Sequence, residues 1–71
     1  MREFVNKVAE VLEVESIDAN DRFRDVPDWD SVKGLGLIVM INDDYNVEVS
    51  VEEFMESQTV GDLAALAKVQ G

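Results

Sequence analysis

Cysteine and histidine are both absent from this chain of 71 residues. Without cysteine there is no disulfide and no thiol of its own, so no oxidising compartment is required and a cytoplasmic location is expected. Without histidine the usual general base and the commonest metal ligand are missing. No Ser/His or Cys/His nucleophilic pair can be assembled, so the chain is not expected to be an enzyme. Carboxylate pairs remain, but sixteen acids in a small domain produce close pairs by chance, and none is singled out. No apolar run reaches the roughly 18 residues a membrane span needs. The acid-bearing, amphipathic start MREFVNKVAEV is unlike a signal peptide. Basic residues are scarce: six against sixteen acids give a net charge of −10. Such a chain repels nucleic acid and attracts basic protein surfaces. The acids are spread out, so part of their role is solubility. Their mutual repulsion also means that salt or divalent cations should stabilise the fold.

What remains is 46% apolar, enough for the core of one domain over residues 1–71, of modest stability because a chain this short buries only about 60% of its unfolded surface. Residues 3–13 place Phe4, Val5, Val8, Val11 and Leu12 on one helical stripe, with Glu3 and Lys7 in the favourable i, i+4 order. Residues 14–30 read as a long loop. It holds the only proline, Pro27, which biases Val26 away from helix, and Ile17 and Phe23 are expected to pin it to the core, with a short turn near 17–20. The loop fails as a calcium hand, because Phe23 stands where such a loop needs its sixth-position glycine. An apolar helix follows over 31–45, then a connection over 46–50. Ser50-Val51-Glu52-Glu53 is a capping box that opens a short helix over about 51–56. Thr59-Val60-Gly61-Asp62 repeats the cap logic before a last helix carrying Val60, Leu63, Leu66 and Ala67. The pattern predicts an all-α, four-helix bundle with a long first loop and a short third helix.

The stretch Trp29–Tyr45 is the most informative. Ser31 stands at a loop-to-helix junction, where free N–H groups and the helix dipole favour an anion; an Asp-Ser pair there is most often a cap. On a helical wheel Leu37, Ile38, Ile41 and Tyr45 form a core arc, with Gly34 inside it, where it would admit a neighbouring helix. Val32, Leu35 and Val39 form a second, roughly opposite apolar arc. Either another helix covers that arc or it serves cargo or a partner. Trp29 is either a packing residue that fixes the start of the helix or a flat surface for function.

DVPDWDSVKGLGLIVMINDDYNVEVS, then a short acidic helix and TVGDLAALA, resembles the acyl carrier protein family over nearly the whole chain. The family's Asp-Ser-Leu motif reads Asp30-Ser31-Val32 here. The resemblance implies a discrete carrier in which Ser31 bears 4′-phosphopantetheine from coenzyme A and holds acyl groups as thioesters, in fatty acid, lipid or polyketide-type biosynthesis. It implies that Asp30 helps a phosphopantetheinyl transferase and its Mg²⁺ engage the site. It also implies a partner and cargo face comprising Trp29, Val32, Leu35, Val39, Met40, Phe54 and Met55, with the acids Asp43, Asp44 and Glu48, read by acyl-loading and acyl-processing enzymes with basic docking surfaces. A monomer is expected. Lys33 and Gly36 depart from the family, standing where acids usually dock enzymes; with two glycines in its first half, the helix start is expected to be mobile. The alternatives are an aminoacyl or peptidyl carrier, and an armless helical module that binds a basic protein.

Overall fold

The computed structural model describes residues 1–69; residues 70–71 of the expected 1–71 domain lie outside the described residues. Four helices follow in order: α1 (Arg2–Leu12), α2 (Ser31–Tyr45), α3 (Val51–Glu56) and α4 (Val60–Leu66). No helix is long and apolar enough to cross a membrane among the described residues.

Helix α1 buries Phe4, Val8 and Leu12 of the predicted stripe and Ala9 beside them, with the stripe's Val5 and Val11 half-buried at its edges. It stops at Glu13, which turns left-handed at φ 60° and leaves Val14 N–H to bond back to the Ala9 carbonyl at 3.0 Å. The other end of α1 is fastened to the end of α2. Phe4 meets Tyr45 edge-on at 5.5 Å. The Lys7 ammonium lies 3.1 Å from Asp44 and 3.7 Å from Glu3, and the Asp44 bond raises the Lys7 pKa.

The long loop is held by Ile17 and Phe23, both buried, as expected. A turn closes from Asp21 N–H to the Asp18 carbonyl at 3.0 Å. A single 3-10 turn over Phe23–Asp25 was not legible in the sequence, because three residues carry no measurable period. The loop also serves α4. Its Asp21 and Ala19 carbonyls accept the Val60 and Gly61 N–H groups at 3.0 and 2.8 Å. Thr59 Oγ1 accepts the Asp62 N–H at 3.2 Å. Donors that a helix start leaves unpaired are thereby satisfied. In return Asp62 accepts N–H bonds from Gln58 and Thr59 at 2.9 and 3.1 Å, completing the capping box. The Ser50/Glu53 capping box of α3 also forms as predicted.

Two expectations for α2 need correction. Met40, read as part of the partner face, is buried. It lies about 60° from Leu37 on the wheel, on the flank that α1 and the core cover. Gly34 was expected to be the glycine of close approach. A Cβ on Gly34 would make ordinary contacts of 3.4 Å with Trp29 and Phe54, whereas one on Gly36 would sit 3.0 Å from Val11 of α1. Gly36 is the tight crossing point.

Among the described glycines Gly61 is the least replaceable, because a Cβ there would press on the Ala19 carbonyl at 3.2 Å, a backbone atom already bonded to the Gly61 N–H. Gly61→Ala is expected to cost about 1 kcal/mol, lowering the thermal midpoint by about 4–8 °C. Gly34→Ala should instead gain up to about 1 kcal/mol of helix propensity. Calorimetry of the two variants checks both signs. The N–H bonds from Gln58 and Thr59 hold the Asp62 carboxyl below its ordinary pKa of 3.8. Its contribution is therefore complete above that value and lost as pH falls through the lower folded-state value. The midpoint of Asp62→Asn is expected below that of the wild type at pH 7, with the gap closing as the pH drops below 3.8.

Candidate functional site at the start of α2

The start of α2 is set by Asp30. Its backbone is extended (φ −151°), and its Oδ1 accepts the Lys33 N–H at 2.9 Å. Asp30 is therefore the cap, and Ser31 is the first helical residue. Ser31 is exposed, and among the described residues its hydroxyl takes no part in a hydrogen bond. The Ser31 and Val32 N–H groups belong to the first turn, where no intrahelical acceptor exists. A nucleophilic hydroxyl, two free donors and the positive end of the helix dipole thus meet at one point.

Beside Ser31 a groove of about 470 Å³ runs between α2 and α3. Gly34, Leu35 and Ile38 form its α2 wall, and Val51, Phe54 and Met55 its α3 wall. Trp29 closes the loop side, half-buried, with its ring edge-on to Phe23 at 5.7 Å. Phe23 in turn packs on Phe54 at 5.2 Å. Trp29 is therefore both a packing residue and a groove wall. Phe54, expected on the cargo face, is buried and lines the groove from α3, while Met55, also in that wall, is exposed.

Arg24, which sequence reasoning missed, holds this arrangement. Its guanidinium donates to the Ser57 carbonyl and, at 2.8 Å, to the Phe54 carbonyl, which satisfies acceptors at the C-terminal end of α3. It also stacks on Phe23 and Phe54 at 4.6 and 5.1 Å. An arginine in an acidic loop carries no sequence signal for such a role, because both partners are backbone atoms 30 and 33 residues away. Val51 was legible in principle, since it stands four residues before Met55 on the same face.

The remaining expected residues divide. Val32, Leu35 and Val39 are exposed, so no helix covers the second arc. Asp43 and Glu48 are exposed. Asp44 is engaged by Lys7 rather than free. The Lys33 side chain is mostly buried and its ammonium reaches Glu13 at 4.0 Å, so its charge is directed at the end of α1.

Removing the Arg24 charge should loosen α3. Arg24→Met keeps an apolar stem but loses both charged hydrogen bonds, an expected cost of about 2 kcal/mol in chemical denaturation. Trp29 emission should shift to longer wavelength in the same variant as the groove opens. Arg24→Lys, which cannot fork between the two carbonyls, is expected to recover less than half of the loss.

A family model described as a phosphopantetheine attachment site matches residues 2–67, a span that includes all four helices. No curated protein and no solved structure matches the chain. The family consists of non-catalytic carrier domains whose prosthetic group is covalent 4′-phosphopantetheine. The structure suits that group: an exposed, unbonded hydroxyl stands at a helix start that favours a phosphodiester. The chain belongs to the phosphopantetheine attachment-site family.

Proposed function

We propose that this protein is an acyl carrier whose 4′-phosphopantetheine is attached to Ser31. The observation that carries the reading is the division of labour between neighbours. Asp30 takes the capping role, so the Ser31 hydroxyl is left exposed and free to react. In the attachment reaction Ser31 Oγ bonds to the phosphorus of the pantetheine phosphate of coenzyme A. The bond to the departing 3′,5′-ADP breaks, and the serine proton passes to the transferase. The Asp30 carboxylate, fixed beside Ser31 by its capping bond, presents an oxygen to the transferase and its Mg²⁺. Once attached, the group supplies a terminal thiol that carries cargo as a thioester. The first-turn N–H groups and the α2 dipole then stabilise the diester charge. A tether of this kind raises the effective concentration of cargo at successive active sites.

Acyl cargo is favoured over aminoacyl or peptidyl cargo by the groove beside Ser31. Its walls are aliphatic and aromatic, and its one charged lining residue, Arg24, is committed to two carbonyls and two rings. No free acid lines it to receive an ammonium group. The setting is fatty acid, lipid or polyketide-type biosynthesis. The overall charge of −10 steers the carrier toward basic enzyme surfaces.

Intact-protein mass after incubation with coenzyme A, Mg²⁺ and a broad-specificity phosphopantetheinyl transferase tests the reading. The wild type should gain one phosphopantetheine and Ser31→Ala none, with unchanged circular dichroism because the hydroxyl supports no part of the fold. Gain by both proteins, or by neither, contradicts the assignment.

A further inference from the structure

We infer that this carrier holds its acyl chain in the surface groove and excludes it from the core, with Arg24 as the positioning residue that keeps the core closed; the inference rests on the carrier reading above. The α2 residues of the groove run from Ser31 to Ile38, about 10 Å along the helix, which is close to the length of an octanoyl chain. Leu35 (60% exposed), Val51 (67%) and Met55 (65%) line it. It is therefore a furrow open to solvent, and a chain lying in it stays accessible.

A longer chain could gain further burial only by passing inward between α2 and α3. That way is closed. Gly34 is buried and has no side chain, yet a single carbon added to it would already touch Trp29 and Phe54 at 3.4 Å. No alkyl chain fits between Gly34 and these rings as they stand. Phe23 packs against both rings, and it and Leu37, one turn further along α2, are 0% exposed.

Entry to the core therefore requires Phe54 to move. Phe54 is the one buried residue of α3, so moving it moves the helix. Arg24 opposes this twice on the same residue. It donates to the Phe54 carbonyl at 2.8 Å, and its guanidinium covers the Phe54 ring at 5.1 Å while stacking on Phe23 at 4.6 Å. Its second bond, to the Ser57 carbonyl, fixes the residue that follows α3. The same loop holds the start of α4 through the Ala19 and Asp21 carbonyls, so the junction of α3 and α4 is fastened on both sides. Displacing Phe54 would strip two carbonyls of a charged donor, a loss that the burial of several methylenes is needed to offset. The part of a long chain that exceeds the groove therefore stays in solvent.

Protein loaded by a phosphopantetheinyl transferase from butyryl-, octanoyl- and hexadecanoyl-coenzyme A tests this, with loading read by intact mass. The wild-type thermal midpoint is expected to rise from the butyryl to the octanoyl form and to differ by less than about 2 °C between the octanoyl and hexadecanoyl forms. Nuclear Overhauser contacts from the chain should reach Leu35 and Ile38 but not the Phe23 ring or the Leu37 methyls. In Arg24→Met the hexadecanoyl form should melt about 4–8 °C above the octanoyl form, with contacts to Phe23 and Leu37. Arg24→Lys, whose ammonium cannot fork between the two carbonyls, should show the same contacts more weakly, and it decides alone if Arg24→Met does not fold. Contacts to Phe23 or Leu37 in the wild type, or a midpoint that keeps climbing with chain length, would overturn the inference and leave the carrier reading intact. Folded Arg24 variants that match the wild type would overturn it too. No mass gain by the wild type with any transferase would overturn both readings.

Discussion

The bond from the Lys33 N–H to the Asp30 carboxylate governs the chemistry available to this protein. A serine at a helix start ordinarily turns its hydroxyl inward to accept a backbone N–H. Here Asp30 accepts that bond. The helix therefore begins at Ser31, one residue earlier than a serine cap would start it, and Ser31 faces solvent with its oxygen unused. One carboxylate thus sets the first residue of α2, frees a nucleophile and leaves two N–H donors beside it. The proposed attachment follows from that local arrangement.

The rest of the fold keeps α2 in place and opens a groove beside it. So small a domain has little core, and it relies on polar fastenings at element ends. The loop lends two carbonyls to α4, Lys7 ties α1 to the end of α2, and Arg24 ties the loop to the end of α3. Lys7, Arg24 and Lys33 all face partners within the fold. The protein thus spends half of its six bases internally and presents an acidic exterior. Val32, Leu35 and Val39 on α2 and Val51 and Met55 on α3 interrupt that exterior.

The four helices, the Ser50 and Thr59 caps and the two arcs of α2 were legible in the sequence, because each is a local pattern: a period of 3.6 residues or a polar cap followed by an acid three residues on. Ser31 was legible as an anion-favouring position, and the family resemblance supplied its role. What escaped depended on contacts distant in sequence. Arg24 acts on backbone carbonyls of α3, Gly36 rather than Gly34 meets Val11, and Met40 is buried because the core covers a wider part of α2 than the four residues Leu37, Ile38, Ile41 and Tyr45 outlined. A helical wheel gives the direction of a side chain but not the extent of the neighbours that cover it.

The central claim is the identity of the modified residue. Trypsin cleavage after Arg24 and Lys33 releases residues 25–33, in which Ser31 is the only hydroxyl-bearing residue. Tandem mass spectrometry of this peptide, from protein co-expressed with a phosphopantetheinyl transferase, should place the whole mass increment on Ser31. An unmodified 25–33 peptide accompanied by a modified Ser16, Ser50, Ser57 or Thr59, or by no modification anywhere, would contradict the account.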